Sequence, residues 1–343
     1  MPDSVRFARS RAGGGAVNTG EAIKRLLAVL MALGLFLVLG EVLIRVYLGF
    51  NIAYDIEMTR YALYMKQDAG DPRVGHVHRP NSAMRLMGVP VEINSDGLRD
   101  KEYPVERGDA YRIAFLGDSL TFGWGVKQEE TFQYLLEEKL SETRPTEIIN
   151  FGTGNYNTAQ EVGLFLAKGL KYRPDEVVLF YFINDAEVTP AKSKLWFLGY
   201  SELISFYWSR INSLKDRYAP SQDFAGYYSA LYAEGQPGWK EARAALLELK
   251  ETCRESGIRL RVVLLPELHD TRNEIFAGVY GGVAEFLGQN GIEHLNLARL
   301  FEARANPMEL WVSYDDAHPN AIAHRAVAES IAEFVATTEQ VRR

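Results

Sequence analysis

Only one cysteine, Cys253, occurs in the 343 residues, so an internal disulfide is excluded. The compartment stays open, because many extracytoplasmic proteins carry no disulfide. Cys253 falls in an amphipathic stretch and reads as a small packing residue rather than a nucleophile. A basic surplus is missing too: 38 Lys and Arg stand against 45 Asp and Glu, for a net charge of −7. Phosphate contacts need a basic surface, which argues against nucleic acid as a partner. No P-loop and no dinucleotide-binding glycine fingerprint stands out. His76 and His78 have the spacing of metal ligands, but no acidic or cysteine partner converges near them in sequence. They read as a solvated loop pair, and neither a metal nor a cofactor is expected. Internal repeats and low-complexity tracts are absent as well.

The charge that is present is unevenly placed. Residues 1–25 carry five basic and two acidic side chains, and residues 26–40, LLAVLMALGLFLVLG, carry none. Fifteen residues of helix span only ~22 Å, short of a ~30 Å hydrocarbon core. The apolar character resumes around Glu41 and Arg45, and residues 26–50 reach ~37 Å. Glu41 and Arg45 are four apart and can pair near one interface, where Tyr47 and Phe50 fit an aromatic belt. No A-x-A site follows, which weakens a cleaved signal peptide. No polar face exists, which weakens a soluble core helix. The expectation is a transmembrane anchor with its N-terminus in the cytoplasm, because the basic residues precede the span. The rest of the chain then lies in the periplasm or outside the cell.

From residue 111 onward, short apolar runs alternate with amphipathic stretches. Strands are expected at 112–116, 147–151, 176–182, 260–265 and 294–297, and helices at 130–140, 158–170, 239–256, 271–289 and 320–337. Continuous apolar runs such as VVLFYF point to a parallel sheet covered on both faces. Right-handed crossovers then make a three-layer α/β/α domain. The expected organisation is a cytoplasmic tail at 1–22, the anchor at 23–50, and a linker and hairpin packed on the main domain at 51–108. The main domain follows at 109–340. Within it, residues 186–238 break the rhythm with LWFLGY, ISFYW and FAGYYSALY, and read as an aromatic helical insertion or lid.

Chemistry concentrates at two strand ends and one helix start. Residues 111–125 read YRIAFLGDSLTFGWG, which presents Ser119 at a carboxyl edge. Residues 313–325 read SYDDAHPNAIAHR. A serine is a weak nucleophile until a base takes its proton, and the base needs a carboxylate to hold its tautomer. His318 precedes Pro319, so its backbone is extended, as an N-cap requires, with the proline as first helical residue. Asp315, one turn back, can then reach the imidazole; Asp316 competes for that role, and spacing favours Asp315. A tetrahedral oxyanion needs two or three converging donors, which the Ser119 N–H, a loop N–H after the second strand and Asn184 would supply.

Together with NFGTGNYNT at 150–158 and FIND at 182–185, these blocks resemble the SGNH/GDSL hydrolase family. Upstream, EINSDGLRDKEY at 92–103 resembles a segment of its membrane-anchored bacterial members. The resemblance implies a flavodoxin-like sheet and hydrolysis or transfer of acyl esters without a cofactor. It implies Ser119 as nucleophile and first oxyanion donor, Asn184 as a further donor, His318 as base and Asp315 as its orienting acid. The family's oxyanion glycine falls at Asn155, with Gly154 just before it, and the glycine usual two before Asn184 is Phe182. The expected activity is an extracytoplasmic serine esterase acting on an acyl ester, with acylated polysaccharide as one such partner. An O-acyltransferase on polysaccharide and an inactive carbohydrate-binding or scaffold subunit are the alternatives.

Overall fold

The computed structural model describes residues 19–50, 52–106, 108–188, 201–218 and 224–336. Of the tail expected at 1–22, residues 1–18 lie outside the described residues, as do 189–200 and 219–223 of the insertion, whereas residues 19–22 already belong to the first helix.

Helix α1 (Thr19–Phe50) is 32 residues long. Its segment Gly20–Gly49 is apolar enough to cross a membrane, with a mean hydropathy of 2.6, and none of that window is buried. The helix is therefore not a core helix of the domain. Four residues later α2 (Tyr54–Arg60) begins. Strands β1 (Lys66–Asp68) and β2 (His76–His78) pair antiparallel, as do β3 (Ala83–Leu86) and β4 (Val89–Glu92). The second pair is a hairpin, closed through Met87 and Gly88, both with positive φ.

The main sheet contains β5 (Tyr111–Leu116), β6 (Thr146–Asn150), β7 (Glu176–Tyr181), β8 (Arg259–Leu264) and β9 (Glu293–Asn296). All neighbours run parallel, in the order β6-β5-β7-β8-β9. Every residue of EVVLFY in β7, the central strand, is buried, as a strand covered on both faces must be. After β5 comes the short helix α3 (Ser119–Phe122), then α4 (Phe132–Ser141). Helix α5 (Thr158–Leu164) follows β6. The described part of the insertion holds α6 (Glu202–Tyr218) and α7 (Phe224–Leu231), and α8 (Pro237–Ser256) leads into β8. Helix α9 (Ala277–Gln289) precedes β9. A short hairpin, β10 (Trp311–Ser313) with β11 (Asp316–Pro319), leads to α10 (Ala321–Ala336).

Two apolar layers close the sandwich. On one face Phe115, Phe132, Val178 and Ile331 join β5, α4, β7 and α10. On the other, Val162, Leu179, Leu246 and Val283 join α5, β7, α8 and α9. Strand order reverses about β5, with β6 on one side and β7 on the other. The crevice above the carboxyl ends of β5 and β7 is where open α/β sheets bind ligands. Ser119 and Asn184 follow those two strands.

Two helix starts differ from expectation. The segment before α9 is not helical from 271, because the Asp270 carboxylate accepts N–H bonds from Glu274, Ile275 and Phe276 and folds it into a loop. Helix α10 starts after Asn320, whose side chain accepts from Ile322 and Ala323. Asn320 is therefore the cap, and His318 lies upstream of it in β11.

Candidate active site

The turn after β5 leaves no room for a side chain at its first position. A Cβ on Gly117 would lie 2.1 Å from Thr121 Oγ1. Asp118 then caps α3, its Oδ1 accepting from the Leu120 N–H at 2.8 Å. Ser119 thus occupies the first helical position, 6% exposed. Its own N–H has no acceptor among the described residues, as the first turn of a helix dictates.

The Ser119 hydroxyl meets His318 Nε2 at 2.8 Å. On the other side of the ring, Nδ1–H donates to Asp316 Oδ1 at 2.5 Å, and the His318 backbone N–H donates to the same oxygen at 3.0 Å. Trp124 Nε1–H donates to Asp316 Oδ2 at 2.9 Å. Burial alone would raise the Asp316 pKa, but the His318 and Trp124 hydrogen bonds outweigh it and hold the group below the ordinary carboxylate range. Asp316 therefore stays ionised beside the imidazole.

Asp315 does not hold the imidazole. It is exposed, and its oxygens accept from Ser313 Oγ at 2.6 Å and from the Tyr54 N–H at 3.4 Å. The expectation of Asp315 assumed a helix-like turn before His318. The segment is instead β11, where residues two apart share a face, so Asp316 and His318 point the same way and Asp315 lies in the preceding turn.

Asn184 sits at the carboxyl end of β7. Its Nδ2 donates to Asp118 Oδ2 at 3.0 Å, which fixes the amide plane and leaves the second N–H of the group for the cleft. Burial pushes the Asp118 pKa up, against the Asn184 and Leu120 donors.

The loop after β6 treats Gly154 and Asn155 differently. The Gly154 N–H is consumed, donating to the Tyr61 hydroxyl at 3.0 Å. Asn155 has φ 64 and occupies the third position of a turn closed by Tyr156 N–H to Thr153 O. Asparagine tolerates that left-handed position better than most residues. Asn155 lines the cleft, and its N–H has no acceptor among the described residues. Of the two, Asn155 is placed to donate to a ligand.

Sequence reasoning missed what holds this loop. Lys66 Nζ donates to Gly154 O at 2.6 Å and to Asn155 Oδ1 at 2.8 Å, and His76 Nε2 lies 3.1 Å from Gly154 O. Burial lowers the Lys66 pKa to about 7. The Tyr61 hydroxyl sits 2.6 Å from His78 Nε2, and His78 Nδ1 lies 3.1 Å from Gly97 O. His78 is fully buried, with its pKa lowered to about 3 by burial and Lys66, so the ring is neutral. One polar chain satisfies every member: Gly154 N–H to Tyr61, Tyr61 to His78, His78 N–H to Gly97. The two histidines are therefore a brace under this loop, His78 buried and His76 half-buried, rather than a solvated pair. The bonds of His76, Lys66 and Tyr61 to Gly154 cross 78, 88 and 93 positions in sequence, and no local pattern announces them.

These groups open onto a cleft of about 550 Å³. Tyr54, Phe224, Tyr228, Trp311 and Tyr314 give it aromatic walls, and α7 of the insertion supplies two of them. Among the described residues no group of three or more His, Cys, Asp or Glu is arranged to hold a metal ion. Chemically, the arrangement offers a hydroxyl hydrogen-bonded to an imidazole and three donors near it.

No curated protein sequence matches the chain. Solved structures similar to it include an acetylxylan esterase from Geobacillus stearothermophilus, as a catalytic mutant, at 12% identity. That match has TM-score 0.43 and covers 66% of this chain and 94% of the other. A lipase/acylhydrolase from Enterococcus faecalis is 13% identical, with TM-score 0.42 and coverages of 66% and 96%. A two-domain esterase active on acetylated mannans is 16% identical, with TM-score 0.42 and coverages of 68% and 50%. A family model described as GDSL-like Lipase/Acylhydrolase matches residues 115–326, from the end of β5 into α10. With more than half of its length matched, the chain belongs to the GDSL-like lipase/acylhydrolase family.

Proposed function

We propose that the chain is a serine esterase, held at the outer face of a membrane by α1 and releasing acyl groups from a hydroxylated substrate through an acyl-enzyme. The observation that carries this reading is the unbroken hydrogen-bond relay Asp316–His318–Ser119. Ser119 Oγ attacks the ester carbonyl while His318 Nε2 takes its proton, and the ionised Asp316 stabilises the imidazolium. The carbonyl oxygen, now an anion, is received by the N–H groups of Ser119 and Asn155 and by the Asn184 amide. His318 returns its proton to the leaving alcohol, and the carbonyl is then attacked by water activated by the same imidazole. Asn184→Ala should lower kcat by roughly 10²–10³ while KM changes little, as for a contact made in the transition state. An unchanged kcat in purified Asn184→Ala protein would remove that donor from the mechanism.

Retention of α1 in the mature protein is supported by its contacts with the folded domain. Glu41 accepts from Ser201 Oγ at 2.7 Å and from the N–H groups of Glu202 and Leu203 at 3.0 Å each, capping α6. Tyr47 stacks edge-on against Phe206. Cleavage after residue 41 would discard the cap. The full chain should therefore fractionate with membranes and resist carbonate extraction. A C-terminal reporter should be active only when it is of the kind that works outside the cytoplasm. Activity of a cytoplasm-only reporter would reverse the topology.

A further inference from the structure

The relay at Ser119 has a counterpart in the same cleft. In Asp316-Ala317-His318, a carboxylate accepts both the backbone N–H and the ring Nδ1–H of the residue two positions on. Glu267-Leu268-His269 repeats this: Glu267 Oε2 accepts the His269 N–H at 2.8 Å, and Oε1 meets His269 Nδ1 at 2.6 Å. Oε2 also accepts the Asp270 N–H at 3.0 Å. The Glu267 side chain is 4% exposed and fully committed, whereas that of His269 is 45% exposed and lines the cleft. With Nδ1 bound to Glu267, the other ring nitrogen, Nε2, makes no hydrogen bond within the described residues. The mechanism above leaves this dyad without a task.

Its place and surroundings suggest one. His269 follows β8, two strands from β5 in the sheet, so it stands roughly 10 Å along the sheet edge from Ser119. Trp311 packs against the imidazole at 4.7 Å between centroids, and Phe224 at 5.2 Å. Trp311 is itself fixed by its indole N–H to Leu268 O at 3.2 Å. A polar nitrogen between two aromatic rings, on a braced loop, suits a ligand with apolar faces and hydroxyl edges. An anionic ligand is disfavoured, because Glu187, Glu267, Asp315 and Asp316 all line the same cleft. A second general base is not required either, since one imidazole serves both half-reactions of an acyl-enzyme.

We propose that His269, held by Glu267, is a binding subsite for the alcohol portion of the ester, its Nε2 gripping a hydroxyl of an uncharged sugar whose faces rest on Trp311 and Phe224. This rests on the esterase reading and names its substrate class as an acylated, neutral glycan. Glu267 also holds the imidazole above its ordinary pKa, which favours the ring as a donor to a sugar oxygen.

The test compares two esters with one acyl group, on full-length protein in detergent. One is p-nitrophenyl acetate, whose leaving group is too short to reach His269. The other is a panel of chemically O-acetylated oligosaccharides with hexose and pentose backbones. His269→Ala should lower the ratio of kcat/KM on the best acetylated oligosaccharide to that on the aryl acetate by about tenfold, one hydrogen bond's worth. The loss should appear in KM, and His269→Gln, which keeps an N–H donor, should recover part of it. An unchanged ratio would overturn the subsite, whether His269→Ala is silent or lowers both substrates equally. Wild-type protein that cleaves the aryl acetate and no acetylated sugar would overturn it too and leave the esterase standing. Wild-type protein inert on every ester, with Ser119 refractory to a fluorophosphonate probe, would sink both.

Discussion

Ser119→Ala should abolish fluorophosphonate labelling and lower ester hydrolysis by on the order of a million-fold. The size follows from the unit character of such relays, in which removing the nucleophile costs about as much as removing all partners together. The hydroxyl is held at 2.8 Å from His318 Nε2, and its backbone already sits in place at the start of α3, so alanine removes the reacting atom and little else. Folding should be nearly unaffected, which circular dichroism and thermal melting would verify. Wild-type hydrolysis by clean Ser119→Ala protein would end the serine-esterase reading and make a carbohydrate-binding subunit the better account.

The second large effect separates two adjacent acids. Asp316→Asn should lower kcat by roughly 10⁴, because an amide facing Nδ1 no longer enforces the tautomer that leaves Nε2 free to accept the serine proton. Asp315→Asn should change kcat by less than about threefold, as expected for an exposed side chain that bonds Ser313 and the Tyr54 backbone. Both variants are isosteric, so pH profiles and melting curves can be compared directly. If Asp315→Asn is the crippling change and Asp316→Asn the mild one, the relay seen between β11 and α3 is not the working one.

The difference between those two acids shows where the sequence was legible. The five core strands were readable to within a residue or so, because the runs VVLFY at 177–181 and VVLL at 262–265 are apolar throughout and only a doubly covered strand buries both faces. The order of Ser119, Asn184 and His318 along the chain, each at a strand or hairpin end, was readable for the same reason. Around His318 the same inference failed. DDAHP is too short to show a period, and the proline suggested a helix start where the chain runs on as β11. Residues at i and i+3 share a helix face and residues at i and i+2 share a strand face, so one error of local structure moved the acid by one position. The loop at Gly154 and Asn155 was ambiguous for another reason. Which N–H is free depends on Tyr61 and Lys66, contributed by the segment at 51–108, which was expected to pack on the main domain but whose bonds to this loop cross 93 and 88 positions and leave no local pattern.

The short passage from α1 to α2 carries a consequence for kinetics. Three residues lie between Phe50 and Tyr54, so the leash of four residue steps spans at most ~14 Å. Tyr54 already stands against the imidazole of His318, at 5.7 Å between rings. With α1 in a bilayer, the reacting serine patrols a thin layer above the lipid and nothing beyond it. Turnover would then scale with the surface density of substrate rather than with its bulk concentration. A long polymer would be trimmed where it passes the membrane, segment by segment, and a chain already released into bulk solution would escape.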